Sequence, residues 1–139
     1  MENTNSIGQF GLPIVVRFKD GHVMKCFTKD FYPNKDNFHI TSEDGVTHIL
    51  KISELKAIFF VKSLKGDKYR RDKNRFSVTS KVAGKKVGIK FKDGEKLVGT
   101  ALNYNTKNKG FFVTPADEES NNEKVFIISN AVEKIVFVP

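Results

Sequence analysis

An internal repeat constrains this chain more than any other feature of its sequence. Residues 16–21 return as residues 89–94, residues 38–41 as 111–114, and residues 57–61 as 134–138. The first two pairs share one offset, and the third follows a short insertion in the second copy. Because both ends of a unit of about fifty residues recur, the chain consists of two copies of one unit.

The size of the unit and the single cysteine limit what each copy can be. A unit this small is near the lower limit for a self-sufficient core, so we expect each copy to need the other. Cys26 is the only cysteine, which excludes an intramolecular disulfide and paired metal-binding cysteines and favours a reduced, cytoplasmic setting. Residues 1–12 lack the apolar core of a secretory signal, and the sequence predicts no membrane insertion.

Both copies have the alternating pattern of β-strands. Ile14, Val16 and Phe18 alternate with polar or smaller neighbours, and residues 87–92 repeat this alternation. Each of these strands leads into Lys-Asp-Gly, which favours a tight hairpin turn. The further predicted strands are 22–28, 37–42, 47–52 and 57–61 in the first copy, and 95–102, 110–115, 124–128 and 134–138 in the second. A single helical turn is expected before each last strand, at 53–56 and 129–132.

The last strands, residues 57–61 and 134–138, are apolar apart from Lys134 at the start of the second. This pattern predicts that both of their faces are covered, by the sister copy or by another subunit.

Residues 87–100 (Val-Gly-Ile-Lys-Phe-Lys-Asp-Gly-Glu-Lys-Leu-Val-Gly-Thr) resemble the first half of an Sm-like fold. Residues 125–127 together with 130–132 and Ile135 resemble its second half. The resemblance implies an all-β protein of two tandem five-stranded Sm-like (SH3-like) small barrels with a pseudo-two-fold repeat. The predicted organisation is an arm at 1–12, a barrel at 13–61, a basic crossing linker at 62–86 and a barrel at 87–139.

The residues with which Sm-like proteins hold RNA bases are not retained here. That family uses an Asp and an Asn before the third strand and an Arg-Gly pair before the fifth. In the second copy Asn105, Lys109 and Ser129-Asn130 stand at these positions. The base contacts of the family are therefore not carried over.

A second resemblance covers residues 110–117 (Gly-Phe-Phe-Val-Thr-Pro-Ala-Asp) with Asn121-Asn122. This pattern is similar to an uncharacterised bacterial domain family that is sometimes attached to signalling modules, and residues 61–76 belong to it as well. No activity is assigned to that family. Its association with signalling slightly favours a non-enzymatic interaction or assembly module in bacterial regulation, which binds a protein partner or a second copy through an exposed apolar strand such as residues 57–61 or 135–138.

The positive charge is concentrated between the two copies. Residues 62–86 hold ten bases and two acids, a balance of +8 that equals the net charge of the whole chain. A solvated linker explains this composition, and so does a surface that attracts phosphates, an acidic partner or an anionic membrane. Sequence-tolerant nucleic-acid binding is the alternative function, with Lys65, Lys68, Tyr69, Arg70, Arg71, Lys73 and Arg75 as its candidate contacts.

Other residue patterns are weaker indications of a ligand or a catalytic site. Arg71 and Arg75 match the arginine pair with which the PilZ family binds cyclic dinucleotides, but no second PilZ motif follows. His39 and His48 flank a turn and can be placed opposite each other across a hairpin, yet two ligands do not make a metal site. With neither a phosphate-binding loop nor a nucleophile and base pair in the sequence, we expect no catalytic residues, no metal and no cofactor.

Overall fold

The computed structural model describes residues 10–66, 84–102, 104–105 and 107–137, and in them the chain is all-β, as predicted. The strands are β1 (Leu12–Phe18), β2 (Val23–Thr28), β3 (Asn37–Ser42), β4 (Thr47–Lys51), β5 (Leu55–Val61), β6 (Lys85–Phe91), β7 (Lys96–Ala101), β8 (Gly110–Pro115), β9 (Asn122–Ile128) and β10 (Val132–Phe137). One 3₁₀ turn, Ile52–Glu54, precedes β5, and another, Ser129–Ala131, precedes β10. No helix in these residues is long and apolar enough to cross a bilayer.

The two copies agree in their hydrogen bonds as well as in their order of elements. The Phe18 amide donates to the carbonyl of His22 at 2.9 Å, and the equivalent Phe91 amide donates to Glu95 at 2.8 Å. The turn glycines Gly21 and Gly94 have φ of 99° and 95°, a region that glycine adopts freely. Strands β3 and β8 have the predicted bounds, whereas β5 and β10 begin earlier than predicted.

All ten strands belong to one antiparallel sheet, in the order β10-β6-β7-β8-β9-β5-β1-β2-β3-β4. Each half keeps the order fifth, first, second, third, fourth strand of its copy. In the described residues no pairing joins β4 to β5 or β9 to β10. The backbone hydrogen bonds therefore form one open sheet, and the prediction of two separate closed barrels is not confirmed.

The two copies are joined by non-equivalent strands. β5, the fifth strand of the first copy, pairs with β9, the fourth strand of the second, from Ala57 opposite Ile127 to Phe60 opposite Lys124. A two-fold axis that pairs β5 with β9 would also pair their equivalents, β10 and β4, which lie at opposite ends of the sheet. The expected pseudo-two-fold relation is therefore corrected to a head-to-tail one.

The paired strands β5 and β9 divide their side chains between two cores. Ile58 and Phe60 join the core of the first copy, and Phe126 and Ile128 of β9 pack into that same core. Ala57 lies in the core of the second copy. Because successive side chains of a strand point to opposite faces, β5 serves both copies at once.

The prediction of two covered faces is confirmed for β5 and wrong for β10. Ala57 and Ile58 are fully buried, and Phe60 is 6% exposed. Val136 and Phe137 on β10 are 46% and 45% exposed. Among the described strands β5 has a neighbour on each side, whereas β10, which also contains Glu133 and Lys134, has one on one side only.

Two strand glycines of the second copy provide a matched test of this packing. A Cβ on Gly99 would lie 2.3 Å from the carbonyl oxygen of Thr114, whereas one on Gly88 would meet nothing within 4 Å. We expect Gly99→Ala to lower the free energy of unfolding by about 1–3 kcal/mol, because β7 and β8 must separate. Gly88→Ala should leave it unchanged or raise it by up to about 1 kcal/mol. Urea unfolding followed by circular dichroism measures both, and equal effects would contradict the close approach of β7 and β8.

Candidate functional site

The basic segment between the copies is described only at its ends. Of the predicted nucleic-acid contacts, Lys65 is exposed and its amide donates to Ser63 Oγ at 3.2 Å. The remaining candidates lie outside the described residues: Lys68, Tyr69, Arg70, Arg71, Lys73 and Arg75.

The start of this segment is held by the second copy. Asn121 Nδ2 donates to the Ser63 carbonyl at 2.9 Å, and the Ser63 amide donates back to Asn121 Oδ1 at 3.2 Å. The Lys62 amide also donates to the Asn121 carbonyl at 2.8 Å. Asn121, noticed in the sequence only as part of a family pattern, therefore fixes where the basic segment leaves the sheet.

The two histidines do not face each other. His39 pairs with Ile49, and His48 pairs with Ile40, so their side chains lie on opposite faces of the hairpin and the proposed juxtaposition is wrong. His39 Nδ1 lies 2.7 Å from Asp30 Oδ2. Burial raises the pKa of Asp30, but hydrogen bonds from the side chain and amide of His39 outweigh it and lower that pKa overall. Within the described ranges no group of three or more His, Cys, Asp or Glu residues could hold a metal ion.

A buried lysine links the two copies. Lys56 of β5 is 7% exposed, and its Nζ lies 2.7 Å from Asp93 Oδ2 and also contacts Glu95 Oε1. The ammonium also lies 4.6 Å above the ring of Phe91. Two carboxylates and a ring face compensate the desolvation of this charge. Since Asp93 lies within the Lys-Asp-Gly turn of the second copy and Glu95 follows it, Lys56 holds that turn against the first copy.

The sequence predicts Lys56 at the end of the helical turn 53–56, whereas it lies in β5. The signal available was a charge reversal between the copies, since the position equivalent to Lys56 is Glu133.

Aromatic side chains from both copies meet beside the β5–β9 pair. Phe31 of the first copy lies 4.9 Å from Phe126, and Phe60 lies 6.0 Å from Phe112, measured between ring centroids. Lys124 Nζ lies above the rings of Phe112 and Phe60 at 4.8 and 5.0 Å. Edge-to-face rings of this kind stabilise beyond their buried area.

An open cleft of about 580 Å³ also lies at this junction. It is lined by Asp36, Asn37, Lys51, Ile52 and Ser53 of the first copy and by Lys107, Asn108, Lys109, Ile128, Ser129 and Asn130 of the second. An ion pair between Lys109 and Asp36 crosses it. The lysines outnumber the acid, so the cleft is suited to a polar or anionic ligand.

Among the described strands, the two ends of the sheet are free edges: β4 pairs only with β3, and β10 only with β6. Ile49 on β4 is 64% exposed, which is unusual for an apolar side chain in a strand centre. A free edge also presents unpaired backbone N–H and C=O groups, which template pairing with another strand.

The model of a family described as "Family of unknown function (DUF6982)" matches residues 11–138. No curated protein and no solved structure matches significantly.

The buried lysine predicts a pH dependence of stability. The hydrogen bond from Lys56 and the amide of Glu95 hold the pKa of Asp93 below its usual 3.8. A lowered carboxyl pKa stabilises the fold above the unfolded-state pKa, and this contribution is lost as the pH falls through the folded-state pKa. We expect the free energy of unfolding to fall between about pH 5 and about pH 2, and to fall less steeply in Lys56→Met.

Lys90→Met is the matched control, because Lys90 pairs with the exposed Glu133 at 3.4 Å instead of Asp93. Its pH profile should parallel that of the unmodified chain. Urea unfolding across the pH range measures all three proteins, and equal slopes for both variants would contradict the role of Lys56.

Proposed function

Because the chain belongs to DUF6982, a family of unknown function, we propose its activity from geometry: it is a non-enzymatic assembly module that binds protein by strand pairing at its free edges. The observation that carries this proposal is the β5–β9 pair, by which the chain already joins one copy of its unit to another. The equivalent strands at the two ends, β4 and β10, have no such neighbour in the part of the chain that the structure describes.

The side chains of the free edges support this use. Ile49, Val136 and Phe137 present apolar surface beside unpaired backbone groups. In strand addition, backbone hydrogen bonds provide affinity and alternate side chains provide specificity. Lys51 and Lys134 are also exposed on these strands, and edge lysines reduce pairing with unrelated strands.

We also propose that each half of the sheet is an Sm-like small barrel that is completed by its neighbour. The strand order fifth, first, second, third, fourth and the 3₁₀ turn before each fifth strand support this assignment.

The reactive side chains that the structure describes support binding over catalysis. Burial raises the pKa of the Cys26 thiol to about 12, which leaves it protonated and weakly nucleophilic at neutral pH. His39, in turn, anchors the loop at Asp30 through its ring and its amide.

Nucleic-acid binding through the basic segment remains the second candidate. The net charge of +8 across residues 62–86 favours it, as do the lysines of the cleft. Affinity for nucleic acid would fall steeply with salt, whereas strand pairing between apolar edges would not. Neutralising Arg70, Arg71, Lys73 and Arg75 would weaken only the first kind of binding.

A peptide spanning residues 122–128 tests the edge-binding function on the full chain. This peptide is β9, the strand that pairs with β5, and β10 is the equivalent of β5. We expect the peptide to protect the backbone amides of β10 from hydrogen exchange, to a similar extent at low and high salt.

A scrambled peptide of the same composition is the control, and Val136→Glu should abolish the protection. Amides of β10 that exchange equally fast with and without a saturating peptide would contradict the proposal.

A further inference from the structure

The aromatic cluster of the junction is built on three rings of the first copy. Phe31 contacts Phe38 at 5.3 Å with an interplanar angle of 84°, and contacts Phe60 at 5.8 Å. Two rings of the second copy, Phe112 and Phe126, complete the cluster against Phe31 at 6.4 and 4.9 Å. The first copy therefore receives aromatic side chains from its neighbour in the sheet.

The second copy has the same three positions without the two added rings. Tyr104, Phe111 and Phe137 are the equivalents of Phe31, Phe38 and Phe60. Tyr104 contacts Phe111 at 4.9 Å with the same 84° angle and Phe137 at 5.5 Å. In the described part of the chain no ring from the first copy reaches them.

An open groove lies where the missing rings would be. It has a volume of about 450 Å³ and runs along β10. Its lining residues are Tyr104, Phe111, Ser129, Asn130, Val132, Glu133, Lys134 and Ile135. Phe137, next to this groove, is 45% exposed, whereas its equivalent Phe60 is 6% exposed.

The strand that would fill this groove lies at the other end of the same chain. Phe112 pairs with Phe126 in β8–β9, and His39 pairs with Ile49 in β3–β4, so Ile49 holds the position of Phe126. Phe126 is 1% exposed, whereas Ile49 is 64% exposed. Among the described residues, Ile49 thus has no partner strand to cover it, and the groove along β10 holds no side chain from another strand.

We infer that the partner at these edges is a second copy of this chain, with β10 of one chain pairing antiparallel with β4 of the next. Ile49 of the next chain enters the groove beside Tyr104, Phe111 and Ile135. This inference rests on the proposed edge-binding function and names its partner. The β5–β9 junction within the chain is its structural template.

The register of the junction fixes the register between chains. Transferring the pairs of the junction to the free edges gives these contacts: Ile135 with Ile49, Val136 with His48, Phe137 with Thr47, and Lys134 with Leu50. Ile135 and Ile49 are then an apolar pair, which is favourable across strands. Extending the register by one residue beyond the observed pairs brings Glu133 opposite Lys51, a pair of opposite charge.

The contact between chains is weaker than the junction within the chain. Lys134 takes the place of the buried Ala57, and Lys51 takes the place of the buried Ile128. The aliphatic stem of Lys134 can lie along Leu50 with its ammonium in water. The assembly is therefore expected to be reversible and concentration-dependent.

The contact is also heterologous, because it joins two different edges. Each chain offers one β4 and one β10, so chains add head to tail and form a ring or a filament.

Two edge variants and one control test this partner. Ile49→Glu removes the apolar side chain of β4, and Val136→Glu places a charge on β10. Val23→Glu is the control, since Val23 is 55% exposed but lies on β2, which has a neighbour on both sides. Circular dichroism of each variant establishes that it is folded, and light scattering after size exclusion measures its mass at several concentrations.

We expect the unmodified chain and Val23→Glu to exceed the mass of one chain, and each edge variant alone to have that mass. An equimolar mixture of the two edge variants should give a dimer of twice that mass, because an intact β10 and an intact β4 remain. A monomeric unmodified chain at every concentration, edge variants that still assemble, or a mixture without dimer would each overturn the inference.

The peptide of residues 122–128 distinguishes a wrong partner from a wrong function. If the peptide protects β10 while the whole chain stays monomeric, the edge binds a strand and a second copy is not its partner. If the peptide also fails to bind, the edge-binding function itself is wrong.

Discussion

The pairing of β5 with β9 is the contact on which the rest of the structure depends. β5 is hydrogen-bonded on both sides, and its alternate side chains Ala57 and Ile58 are fully buried in the cores of the two copies. A unit of about fifty residues is near the lower limit for a self-sufficient core. Sharing one strand gives each core side chains from the junction, and the buried Lys56 fixes the turn of the second copy against the first.

The same contact explains why the two ends of the sheet differ from its middle. The second half of β10, residues 135–137, is as apolar as that of β5, but Val136 and Phe137 are exposed on it. At the other end, Ile49 is exposed where Phe126 is buried. At other positions of these edges, Lys51 and Lys134 stand where the junction has the buried Ile128 and Ala57. Edge lysines of this kind reduce pairing with unrelated strands. The ends therefore retain the chemistry of a junction while remaining open to a partner.

Sequence alone predicted the local structure well, because repeat, alternation and turn chemistry are local properties. The bounds of β3 and β8 and the Lys-Asp-Gly turns followed directly. Alternation assigns a residue to a face but does not name the neighbouring strand, so the head-to-tail β5–β9 pairing could not be predicted. For the same reason His39 and His48 were placed together, although a shift of one residue in register puts them on opposite faces. Lys56 was missed since its burial depends on a turn far away in the sequence.

Disulfide trapping between chains tests the central claim, that the junction recurs from chain to chain. The register places Val136 opposite His48, both exposed in the single chain. A mixture of Val136→Cys and His48→Cys under mild oxidation should form a covalent dimer containing one of each, because directly opposed strand residues bring their Cβ atoms close enough for a disulfide. A mixture of Val136→Cys and Ile49→Cys, shifted by one residue, should cross-link far less. Equal cross-linking of both mixtures, or none in either, would contradict the account.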